Sequence, residues 1–204
     1  MLRVKSGLKI FLAKNRGLIV FAMFLFFAGA CIGGVFVGFE KSDVLNNLKN
    51  ISEKYFSAGM IQSIDKNNLF FYIFFDVVIC GIFFALAGIW LVFVPVAAVR
   101  LFAEGFKTGF LAALFAGLYG IKGTIFATLV VWFRLAFSVP LFVVFFSFVL
   151  RCVIFEKQNG KYYFSKQKRK FFFAFLCFVV CALPVCFAES RIVPFVVKIW
   201  GALR

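Results

Sequence analysis

Residues 123–150 read GTIFATLVVWFRLAFSVPLFVVFFSFVL, twenty-eight positions with one charge, Arg134. About 20 apolar residues suffice for a helix to cross the hydrocarbon of a bilayer. This run is long enough, and comparable runs recur along the chain. The composition agrees: 64% of residues are hydrophobic and 15% charged, against about one quarter charged in a soluble domain. Lipid offers no hydrogen bonds to backbone groups, so such spans are expected as helices. The sequence therefore predicts an all-α, polytopic transmembrane bundle, a multi-pass protein of the cell membrane.

Charge gives the orientation. The formal net charge is +15, but the bases flank apolar runs, so membrane lipid accounts for them before nucleic acid does. Residues 1–16 carry Arg3, Lys5, Lys9, Lys14 and Arg16 and no acid. Residues 151–170 hold seven Lys or Arg against Glu156 alone. In residues 40–68, four lysines are matched by Glu40, Asp43, Glu53 and Asp65. Excess Lys and Arg mark cytoplasmic segments. The expected layout is a cytoplasmic N-terminus (1–16), span one (17–39), an outer loop (40–68) and three spans within 69–150. A cytoplasmic loop (151–170), span five (171–188) and an outer tail (189–204) complete it.

Within 69–150 the expected crossings run from Leu69 to Val94, Phe106 to Ile121 and Ile125 to Leu150. VRLFAEGFK (99–107) is expected as an inner turn and GIKGT (120–124) as an outer one. The tail, with Trp200 among basic neighbours, suits the outer interface. FAGAC (27–31) resembles a lipoprotein cleavage box, but the apolar run continues past Cys31, so a retained first span is expected.

Other features carry chemistry or packing. Ser42 can cap a helix, and Val44, Leu48, Ile51 and Tyr55 fall on one face of it. That face would rest on lipid or dock an outer partner. Asn159-Gly160 is a tight-turn signal inside the basic loop. Gly29 and Gly33, Gly34 and Gly38, Gly105 and Gly109, and Ala113 and Gly117 have helix-packing spacing, which serves a compact bundle or a homo-oligomer. The six cysteines sit in or beside apolar runs, with no CxxC pair and no histidine in the chain. No metal or other cofactor is expected. No phosphate-binding loop, nucleophile elbow or zinc-protease motif occurs, and a non-catalytic protein is expected.

Two charges read as intramembrane, Asp76 and Arg134. A charge at mid-bilayer costs at least about 2.5 kcal/mol and calls for a partner. Counted from the outer ends of their spans, both lie about 11–15 Å deep. They are expected to pair, next to a helix kink at Pro140, which frees the carbonyl of Ala136.

The order of these features resembles the stage II sporulation protein M family of bacterial membrane proteins. The resemblance is carried by FFAGACIGG (26–34), GIWLVFVP (88–95) and the turn-like EGFKTGF (Glu104, Gly105, Lys107, Gly109 and Phe110 within it). It extends to the slot FRLAFSVP (133–140), which keeps Pro140 but places Arg134 and Ser138 where the family has His or Gln and an acid. The resemblance implies a scaffold that recruits extracytoplasmic cell-wall hydrolases, such as stage II sporulation proteins D and P. The alternative expectation is a permease subunit or small-solute transporter.

The topology has a direct check. In a cysteine-free background, an impermeant thiol reagent added outside should label Ser57→Cys and leave Gln158→Cys unmodified; the reverse pattern would invert the orientation.

Overall fold

The computed structural model describes residues 15–39, 47, 50, 66–159 and 162–202. The expected docking face of Val44, Leu48, Ile51 and Tyr55 and the residues before Asn15 lie outside these. All described elements are helical: α1 (Arg16–Phe39), α2 (Lys66–Ile89), a 3-10 turn (Leu91–Phe93), α3 (Val94–Asn159) and α4 (Tyr162–Ala202). Among the described residues, four helices are long and apolar enough to cross a membrane. Large apolar side chains such as Phe24, Phe75, Trp132 and Phe195 are exposed along them, as lipid-facing surfaces require.

The 66-residue α3 is two limbs joined at Gly120, whose backbone (φ 59, ψ −137) is the one non-helical point inside it. That conformation is open to glycine and strained for residues with a Cβ. The chain doubles back there. Gly123 lies so close to the Phe115 carbonyl that a methyl group would clash with it, and the rings of Phe115 and Phe126 are 5.0 Å apart. The reversal expected at GIKGT is thus present.

The inner turn expected at VRLFAEGFK is not. The break between α2 and α3 falls earlier, at Trp90 and the 3-10 turn, just ahead of Pro95. Proline is favoured in the first turn of a helix, where no backbone donor is needed. Arg100, Glu104, Gly105, Lys107, Gly109 and Phe110 are therefore all helical, inside the first limb of α3. The kink expected at Pro140 is likewise not where α3 breaks. Helical dihedrals run through Pro140, which is exposed. The tail also differs from expectation: α4 continues to Ala202, with Pro184 and Pro194 inside it, and its apolar span reaches Val196.

Two contacts fix the bundle. The first is glycine packing between α1 and the first limb of α3, which run parallel. Gly29 and Gly33 lie against the carbonyls of Phe102 and Phe106, while Gly105 and Gly109 lie against those of Phe26 and Ala30. Side chains there would hold the backbones apart; without them the helices approach at van der Waals distance. The second is an aromatic core. Phe84 of α2 meets Phe146 in the second limb of α3 at 5.3 Å, and Phe145 stacks on Phe178 of α4 at 4.6 Å. α4 runs antiparallel to α2: Phe70 meets Phe187, Gly81 meets Phe178, and Gly88 meets Phe171.

Two substitutions separate these devices. Gly120→Ala meets no neighbour within 4 Å, so its cost is conformational, about 1–3 kcal/mol. Gly109→Leu should instead drive α1 off α3. Both should lower the thermal unfolding midpoint in detergent, but only Gly109→Leu should expose α1 to proteolysis.

Candidate functional site

The break at Trp90 carries the sequence VRLFAEGFK into the bundle. In the first limb of α3, Arg100, Glu104 and Lys107 are spaced i, i+4, i+7, so they share one face. Counting 1.5 Å per residue from Val94, Glu104 lies about 15 Å and Lys107 about 20 Å along the limb. Both are near its middle. Asp76 of α2 is about 15 Å from the Lys66 end of its helix by the same count. The hairpin at Gly120 returns Arg134 to the same level. Five charges, rather than the expected two, thus meet in the bundle: Asp76, Arg100, Glu104, Lys107 and Arg134.

Glu104 is the centre. Its side chain is 2% exposed, and carboxylates are almost never that buried unless paired. Three cations surround it. Arg100 Nη2 lies 2.9 Å from Glu104 Oε1. Lys107 Nζ donates to the same oxygen at 3.1 Å, and Arg134 Nη2 donates to Oε2 at 2.9 Å. Asp76 closes the other side: it accepts from Arg100 Nη2 at 2.7 Å and from Lys107 Nζ at 3.4 Å.

The expected pair of Asp76 and Arg134 is present as a long ion pair, 4.0 Å at its nearest approach, but it is not the closest contact of either residue: Arg134 makes its hydrogen bond to Glu104 and Asp76 makes its own to Arg100. Matched depth places the two residues in one cluster. Their closer partners, Arg100, Glu104 and Lys107, lie on the stretch expected as an inner turn, which is helix instead. Two signals pointed to helix: the i, i+4, i+7 spacing of those three charges, and the helix-type spacing of Gly105 and Gly109 among them.

A third acid, Glu189 of α4, was expected in the outer tail. It is partly buried and feels the charges of Arg134, Glu104 and Asp76. Ser138, one turn along from Arg134, is buried with its hydroxyl directed at the Glu189 carboxyl. Pro140 is exposed and takes no part in this cluster.

Chemically, the site is a closed exchange of charge. Asp76 and Glu104 each bond at least two cations, so the cluster joins α2 to both limbs of α3. Three cations beside these acids oppose a divalent metal, and no group of three or more His, Cys, Asp or Glu able to hold one occurs among the described residues. The cysteines are free thiols: Cys80, Cys152 and Cys186 buried, and Cys31, Cys177 and Cys181 exposed. An apolar groove between the second limb of α3 and α4, lined by Leu141, Phe145, Cys177 and Cys181 among others, lies apart from the charges.

No protein-family model, no curated protein and no solved structure matches this chain. The likeness to the stage II sporulation protein M family stands on its sequence motifs alone, and one of them, the turn-like EGFKTGF, is helix here.

The cluster makes a quantitative expectation. Breaking a buried pair typically costs about 3–5 kcal/mol, because one charge is left unpaired. Glu104→Leu should be the most destabilising single change in the cluster, as it takes a partner from three cations at once and leaves Arg134 without its hydrogen bond. In double-mutant cycles read by thermal unfolding, Arg134 should couple more strongly to Glu104 than to Asp76. Stronger coupling to Asp76 would contradict the observed pairing.

Proposed function

We propose that the chain is a non-catalytic membrane scaffold: a five-span bundle of the cell membrane, N-terminus inside, that positions extracytoplasmic partners. The observation that carries this reading is the burial of Glu104 among Arg100, Lys107 and Arg134. Such a network ties both limbs of α3 together and, through Asp76, ties them to α2. Its groups are engaged with one another rather than presented to a substrate, as suits a framework that holds its shape. The five-span count is supported by the reversal at Gly120, since each limb of α3 exceeds the roughly 20 residues a crossing needs. Alternating helix direction supports it too: α1 runs parallel to the first limb of α3, and α2 antiparallel to α4. The N-inside orientation rests on the Lys and Arg asymmetry.

The partner class comes from the family resemblance: cell-wall hydrolases acting outside the membrane, in septum formation, engulfment or a related envelope process. The docking face would be Val44, Leu48, Ile51 and Tyr55.

A second reading, a permease subunit or small-solute transporter, is favoured by one feature. Ionisable groups at mid-bilayer are a common mark of ion and substrate pathways, and five of them form one ion-paired cluster among the described residues.

Two measurements separate the readings. Replacing Leu48 and Ile51 by Asp should abolish co-purification with the outer hydrolases while membrane insertion stays normal. In proteoliposomes, the purified chain should leave ion and small-solute flux at the protein-free level. Flux that disappears in Asp76→Asn would instead support the transporter.

A further inference from the structure

The groove between the second limb of α3 and α4 has a volume of about 310 Å³. Leu141, Val144 and Phe148 form one wall, and Ala174, Cys177 and Cys181 the other. Phe145 and Phe178, both buried, line its depth. Its lining is apolar throughout, and Cys177 and Cys181 are exposed, so it opens outward from the bundle. From Leu141 to Phe148 it runs about 10 Å along the helix. That length fits within the roughly 15 Å of hydrocarbon that one leaflet contributes. One end of the groove meets charge. Arg151 follows Phe148 by one turn and continues the stripe of Leu141, Val144 and Phe148 at i, i+3, i+7 and i+10. The sequence that leads into the opposite wall reads KQKRK at 166–170. Residues 151–170, which join the two walls, hold seven Lys or Arg against Glu156 alone.

We infer that this groove seats one acyl chain of an anionic phospholipid, with the headgroup phosphate at Arg151 and the basic connection. Charge complementarity selects the occupant. Bases at the end of a membrane span attract anionic lipid, by about fivefold in affinity for each, and a guanidinium can bind phosphate through two parallel hydrogen bonds. Depth agrees with charge. A lipid anchored at Arg151 directs its chain away from the bases, along the groove toward Leu141 and Cys181. Size agrees as well. A helix is about 10 Å across, so a 10 Å length of one displaces roughly 800 Å³, more than twice the groove; a single hydrocarbon chain is narrower. Apolar contact along the walls and attraction at their basic end then act on the same molecule. A lipid held this way packs α4 against the second limb of α3 at the level where Phe145 stacks on Phe178. The inference needs the bundle to lie in a membrane and does not depend on the outer partner proposed above.

The test uses the full chain reconstituted in phosphatidylcholine vesicles. A trace of phosphatidylglycerol or of phosphatidylcholine is added, carrying a photoreactive diazirine in its acyl chain. With the phosphatidylglycerol probe, adducts mapped by mass spectrometry should concentrate on residues 141–148 and 174–181. They should exceed those on the exposed face of α1 at Phe24 and Phe27. The phosphatidylcholine probe should show no such preference. Cys177→Phe, which fills the groove, should remove the excess. Arg151→Gln combined with Lys170→Gln leaves the groove itself intact and gives an independent arm. It should weaken phosphatidylglycerol in competition by roughly 25-fold, about fivefold per base. Equal labelling of the groove and the α1 face by phosphatidylglycerol would overturn the proposal. So would labelling indifferent to the loss of the two bases. A disulfide-linked dimer through Cys177 or Cys181 under mild oxidation would place a second copy in the groove and overturn it too.

Discussion

The carboxylate of Glu104 has to remain charged or paired at a depth where water is excluded, and the fold is arranged around that demand. A buried ion is costly unless opposite charges and hydrogen bonds replace its hydration. Glu104 receives them from Arg100 and Lys107 on its own helix, one turn to either side, and from Arg134 across the hairpin. The last of these depends on the chain reversing at Gly120, which lies nearly midway between residues 104 and 134. Move the reversal by a few residues and Arg134 would rise or sink past its partner by about 1.5 Å per residue. The glycine conformation and the ion pair therefore specify the same register.

Around this polar centre, packing is divided between two kinds of contact. α1 is held by absence of side chains, its glycines against backbone carbonyls of α3. α2, the second limb of α3 and α4 are held by their presence, through Phe84, Phe142, Phe145, Phe146 and Phe178. In lipid no hydrophobic force drives helices together, so close packing and polar contacts must supply the association. The abundance of phenylalanine is used accordingly: some rings form this core, and many others face outward toward acyl chains.

The same arrangement explains why the cluster supports a scaffold reading while leaving a transport reading physically meaningful. Glu104 is enclosed and multiply bonded, while Arg134, Asp76 and Lys107 around it are each partly exposed.

Much of this was legible in the residues. Hydropathy alone determined the membrane class and the helical architecture, because a bilayer tolerates few other backbones. Spacing marked the glycine stripes and the reversal at GIKGT, and depth alone marked Asp76 and Arg134 as costly charges needing partners. Which partners they have was a tertiary matter. It turned on whether α2 ended at Trp90 or ran on toward Val94. Local sequence near Pro95 allowed either reading, so Arg100, Glu104 and Lys107 could be assigned to a loop or to the bundle interior. Glu189 was hidden for a similar reason, since an acid beyond an apolar run resembles a helix end until the next turns are seen to continue. The pairing of Gly29 and Gly33 with Gly105 and Gly109, and of Arg134 with Glu104, joins positions tens of residues apart. Sequence spacing fixes a residue's face and depth on its own helix, but only the packed bundle decides which other helix stands opposite.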